Sequence, residues 1–167
     1  MAGEYSEQDL ARVATLGPRV NADVPGSEAA LMYYGLVATR AAEDCAKKFG
    51  WNEERTTKAR KYELVRLKSV AFREHGPLDD AGLRRIEAAS SGRDRDGFWA
   101  MMERVATGDY SGASRQAMEH ADRAIEHFIR SAGFPPDRER DVAIVDYLST
   151  LALERKRARD FAASAVD

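Results

Sequence analysis

Apolar side chains recur at three- and four-residue intervals in segment after segment of this chain, and strict alternation is nowhere sustained. A chain patterned in this way buries its apolar groups by packing helices side by side. Gly, Pro, Ser, Asn and Asp punctuate it into about seven helical segments, roughly four long and three short. We therefore expect an all-α fold, an elaborated antiparallel helical bundle, because short connections favour antiparallel neighbours.

The boundaries follow from local chemistry. Ser6 caps the first helix, with Asp9 completing a capping-box-like pair, and Gly17-Pro18 stops it; Asn21 to Gly26 reads as loop. Ser27 caps a second helix to Phe49, whose core stripe is read as Leu31, Tyr34, Ala38, Ala41, Ala42, Cys45 and Phe49, with Gly50 as the stop. Asn52 caps a third through His75, with Leu64, Leu67 and Ala71 inward and Gly76-Pro77 after it. Two short helices, Asp79 to Ala89 and Gly97 to Thr107, flank Ser90 to Asp96, the most loop-like stretch and the one expected to be mobile.

A sixth helix is expected after Ser111 and as far as Ala132, with Met118, Ala121, Ile125 and Phe128 inward, before Gly133 to Pro136 break it. The last runs from Asp137 to Ala163. Its apolar stripe of Ile144, Tyr147, Leu148 and Leu151 gives way to a polar tail from Glu154 to Asp160. At ~1.5 Å per residue this helix reaches ~40 Å, so its tail is expected to project beyond its partners.

With 167 residues and no evident linker, one domain over 1–167 is expected. The balance of 26 Lys and Arg against 28 Asp and Glu argues against a protein that holds nucleic acid by bulk charge alone and leaves room for a local basic patch. The single Cys45 excludes an intramolecular disulfide and fits a small core residue in a reducing compartment. The first ten residues lack the basic-then-apolar order of a secretory signal, and no run approaches the ~18 apolar residues of a membrane span. We expect a soluble cytoplasmic protein with no membrane association. P-loop, dinucleotide-turn, Gly-x-Ser-x-Gly and Cys-x-x-Cys motifs are absent, which removes most support for nucleotide-driven, acyl-transfer and redox enzymes.

Three sets of residues are candidate sites. Arg55, Arg66 and Arg73, with Lys58 and Tyr62 beside them, line up opposite the Leu64, Leu67 and Ala71 face, as a cationic stripe for phosphate oxygens or an acidic protein surface, or as an ordinary solvated face. Tyr34, Trp99 and Met102 are the candidates for an internal apolar pocket. Arg115-Gln-Ala-Met-Glu-His120 has an Arg-x4-His spacing that resembles the catalytic signature of HEPN-type helical ribonucleases. That resemblance implies an Arg115 that steadies a phosphate and a His120 that moves protons at the ribose 2′-hydroxyl, although Gln116 stands where those enzymes place Asn, Asp or His.

No metal or cofactor is expected. His120 and His127 are two turns apart rather than at the i,i+4 ligand spacing, and both point away from the inward positions of their helix. Asp79-Asp80 and Asp94-x-Asp96 precede helices, where carboxylates cap free N–H groups. The reading that results is a non-catalytic interaction protein, a regulator or adaptor, that binds an acidic protein surface or nucleic acid through its basic third helix, with a homodimer as one arrangement. The alternatives are a metal-independent ribonuclease using Arg115 and His120, and a small-molecule sensor.

Overall fold

Residues 5–16, 27–91, 96–109 and 114–164 are described by the computed structural model. They form seven helices and no strand: α1 (Glu7–Leu16), α2 (Ser27–Phe49), α3 (Glu53–His75), α4 (Asp80–Ser90), α5 (Asp96–Thr107), α6 (Arg115–Ser131) and α7 (Arg138–Ala163). The molecule is an all-α helical bundle. The expected stop at Gly17-Pro18, the loop from Asn21 to Gly26, most of the loop before Asp96 and the cap at Ser111 lie outside the described residues.

The helix ends obey their caps. Ser6 Oγ accepts from the Asp9 amide at 3.1 Å and donates to the Asp9 carboxylate at 2.7 Å. Asn52 Oδ1 accepts from the Arg55 amide at 2.8 Å, Asp79 Oδ1 from Gly82 at 2.7 Å, and Asp137 Oδ1 from Arg140 at 3.0 Å. At Gly50 the backbone turns left-handed (φ 68°) and the Trp51 amide reaches back to the Ala46 carbonyl at 3.1 Å, closing α2. Gly133 (φ 84°) closes α6 in the same way. Ser114 rather than Ser111 caps α6, its Oγ accepting from the Ala117 amide at 3.2 Å.

The contacts divide the chain into two compact units, one of residues 1–76 with 154–167 and one of residues 77–153. The expectation of a single domain over 1–167 is left as it stood, since the division falls at a short turn and inside a helix rather than at a linker. One boundary is the Gly76-Pro77 turn and the other lies within α7.

In the first unit, which also holds the end of α7, helices α1, α2 and α3 pack around Val13, Ala30, Tyr34, Val37, Ala38, Leu67 and Ala71. The buried stripe of α2 is therefore Ala30, Tyr34, Val37, Ala38, Ala41 and Ala42. Leu31 and Phe49, expected inside, are exposed, and Cys45 is half-buried. Apolar residues surround much of α2, so periodicity alone left the phase of its stripe open. Close approach to α3 selects the alanine-rich side.

Tyr34 is buried in this core and donates to the Val13 carbonyl at 3.2 Å. Burial pushes its phenol up to about 12, whereas an unfolded tyrosine ionises near pH 10. Ionisation thus favours the unfolded chain first. Stability should be intact below pH 10 and fall as pH rises toward 12, with Tyr34 contributing about 1.4 kcal/mol per pH unit in that window. Tyr34→Phe should flatten the decline; an identical alkaline profile for the variant would contradict this assignment.

The tail of α7 does not project. It runs opposite to α3: Ser69 Oγ donates to Glu154 at 2.5 Å, and near the other end Arg55 donates to the Ser164 carbonyl at 3.3 Å. Phe161 meets Trp51 edge-on, ring centroids 5.3 Å apart. Phe161, alone among the charges, supplies the apolar anchor that the polar reading of this tail passed over.

The second unit holds α4, α5, α6 and the first part of α7 around Ile86, Trp99, Met102, Phe128, Ile144, Tyr147 and Leu148. Phe98 stacks on Phe128 with centroids 4.6 Å apart. The Tyr147 hydroxyl donates to Glu87 at 3.0 Å, so a phenol in the core keeps its hydrogen bond.

Candidate functional site

Helix α6 is anchored at one end only. In its C-terminal half Ile125, Phe128 and Ile129 are buried, and Arg130 clamps Asp141 of α7 through two hydrogen bonds of 2.5 and 3.4 Å while donating to the Phe134 carbonyl at 3.1 Å. Its N-terminal half is different. Every residue from Arg115 to His120 is exposed, including Met118, which periodicity placed inside. The apolar stripe is continuous in sequence, but among the described residues too little of the unit lies beneath its first two turns to cover it.

A groove opens on each side of this half-anchored helix. On the α5 side, Ala100, Met101 and Val105 face Ala117, Met118 and Ala121 across a cavity of about 800 Å³. Arg104, His120 and Arg123 stand at its rim, and none of its described lining residues is a carboxylate. Arg123 Nε donates to the Glu119 carbonyl at 3.2 Å. On the α7 side, a cavity of about 790 Å³ is floored by Met118, Ile125, Ile129, Val142 and Val145. Its rim carries Asp122, Glu126, Asp137, Asp141 and Asp146 against two cations, Arg130 and Arg138. Arg130 is already committed to Asp141. Met118, 41% exposed, and Val142, 55% exposed, are the exposed large hydrophobics described in this unit, and both line this second groove.

No protein-family model, curated protein or solved structure matches the chain. The residues themselves carry whatever is said of function.

The expected cationic stripe is largely engaged within its own unit. The Arg55 guanidinium lies over the rings of Trp51 and Phe161, 5.2 and 5.1 Å from their centroids. Lys58 pairs with Glu54 at 2.6 Å. Arg66 reaches Glu63 at 3.3 Å and lies 5.1 Å from the Tyr5 ring centroid. Tyr62 is half-buried, and burial together with the Glu154 charge pushes its phenol up. Arg73 alone of the five is exposed. A face expected to look outward is covered by the α7 tail and by Tyr5, contacts between residues up to 109 positions apart that helical periodicity does not encode.

Arg115 and His120 are both exposed on α6, but only His120 lines a groove; Arg115 pairs with Glu119 at 3.0 Å, one turn along the surface. Tyr34 belongs to the core of the first unit and Trp99 and Met102 to that of the second, and neither groove is lined by any of them. Among the described residues no group of three or more His, Cys, Asp or Glu is placed to hold a metal ion, and no helix is long and apolar enough to cross a membrane.

Sequence reasoning missed Val142 and Val145, whereas Met101 and Val105 belong to an apolar arc of α5 with Phe98, Trp99, Met102 and Ala106 that the sequence offers either as core or as a pocket or partner groove. Val142 had a signal: it is an apolar residue beside, not within, the stripe of α7. An isolated residue of this kind is common on any surface, so its meaning came only from the groove it shares with Met118.

Proposed function

We propose that the chain is a non-catalytic interaction protein, a regulator or adaptor, which takes an amphipathic helix of a partner protein into the groove between α6 and α7. The observation that carries this reading is the convergence of Met118 and Val142 on one concave surface with an acidic rim. A helix of apolar face laid into such a groove buries those side chains, and basic residues on its flanks meet Asp122 and Glu126. The partner is thus basic rather than acidic. The cations of α3 that suggested the opposite sign are mostly held by Glu54, Glu63, Trp51 and Phe161.

The test uses a labelled synthetic helix of Leu, Ala and Lys and its Glu-for-Lys twin, with binding read by fluorescence anisotropy. The basic helix should bind and the acidic one should not. Asp122→Lys with Val142→Lys should weaken binding by at least about tenfold, the scale of one lost charge pair or apolar anchor. Both positions are exposed, so the melting temperature should be unmoved. Equal affinity for the two helices would discard this reading.

A further inference from the structure

We propose that the other groove, between α5 and α6, is a binding site for a soluble amphiphile with an apolar body and one anionic head group. Its surface is apolar, formed by Ala100, Met101, Ala117 and Met118 among others, and its volume of about 800 Å³ lies within the range of ligand pockets, roughly 300–1,000 Å³. Two methionines let the wall adjust to an irregular body. What selects the ligand is charge.

Arg104 and Arg123 stand at the rim with the His120 imidazole beside them, and no Asp or Glu is found among the described lining residues. Among the described residues neither arginine is in an ion pair. Arg104 has neither a carboxylate nor an aromatic ring as partner among the described residues, whereas Arg55, Arg66 and Arg130 each have one. The start of α6 adds to the same field. Its first turn holds no acidic residue, and Ser114 and Gln116 at that end also line the groove. An anion here meets two guanidiniums and the positive end of a helix, which favours it by charge-assisted hydrogen bonds and the helix dipole. A cationic head group meets repulsion instead.

The site shares Val105, Met118 and Ala121 with the helix-binding groove, but the charged side chains differ: Arg104, His120 and Arg123 line this groove alone, and the carboxylates and Val142 line the other alone. Its ligand is a small molecule free in solution rather than a lipid surface, because the apolar lining is recessed between two helices and the cations number only two. A membrane-binding face needs a broad basic patch.

Calorimetric titration of the full chain with decanoate tests the proposal, with decyltrimethylammonium as the probe of opposite charge. Saturable binding of one decanoate per chain is expected, and the cation should bind at least about tenfold more weakly. Arg104→Glu with Arg123→Glu should weaken decanoate binding by about tenfold or more without moving the melting temperature, since both side chains are exposed. Val142→Lys should leave decanoate binding as it is, so this site and the helix-binding groove can fail separately. The proposal is overturned if decanoate does not bind, if the two amphiphiles bind alike, or if the double variant retains wild-type affinity. It is equally overturned if the protein sediments with phosphatidylglycerol vesicles while taking up no free decanoate.

Discussion

Phe128→Ala is expected to lower the unfolding free energy by about 3–5 kcal/mol, the range for truncating a fully buried aromatic residue. Phe128 is 1% exposed, and its ring stacks on Phe98 with 18° between the planes. Alanine would remove both the transfer free energy of the ring and the stacking partner of Phe98, and would leave a cavity at the base of α6. Phe128→Leu fills most of that space and should cost less than half as much. Because the chain holds two compact units, hydrogen exchange should be read by segment: protection should fall in α4, α5, α6 and the first part of α7. A loss under about 1 kcal/mol would mean that Phe128 is not the anchor of this helix.

The second large effect is expected in the other unit. Glu63 is 3% exposed in the middle of α3, where it accepts a hydrogen bond from the Tyr5 hydroxyl and another from Arg66 at 3.3 Å. Tyr5 lies 58 residues away in sequence, just ahead of α1, so this carboxylate ties the start of the chain to α3. Burial and the Glu63 hydrogen bond push the Tyr5 phenol up, which keeps it a donor at neutral pH.

Glu63→Ala leaves the Tyr5 hydroxyl and the Arg66 guanidinium without their acceptor and should cost about 3 kcal/mol. Glu63→Gln keeps an acceptor for Tyr5 and should cost less. A double-mutant cycle with Tyr5→Phe should return a coupling of about 1 kcal/mol or more. Simple additivity of the two substitutions would show that the pair does not hold α1 in place.

Much of the fold was legible before any coordinate. Caps at Ser6, Asn52 and Asp79 are local chemistry between residues three apart, and each was readable from residue type and spacing. Left-handed stops at Gly50 and Gly133 were readable for the same reason. The phase of a stripe was less legible. Along α2, Ala30 is buried and Leu31 exposed, although leucine is the more apolar of the two. On α6, Ile125 and Phe128 are covered as their spacing implies, whereas Met118 of the same stripe is not.

The candidate sites were hardly legible at all. Arg55 reads in sequence as a surface cation on an amphipathic helix, yet it is held between Trp51 and Phe161 because the far end of the chain returns to lie along α3. Arg115 and His120 share a helix at suggestive spacing, but only one of them borders a groove.

What the sequence by itself determined, among the described residues, is that the chain forms helices and no strand, and where most of those helices start and stop, since those outcomes depend on backbone groups and side chains within a turn of one another. Tertiary structure alone decided which face of each helix meets another, that the polar end of α7 packs instead of projecting, and that two grooves of opposite rim charge flank α6. The physical reason is that burial and electrostatic surroundings are sums over neighbours remote in sequence, and helical periodicity records only that an apolar face exists, not how much of the molecule is there to cover it.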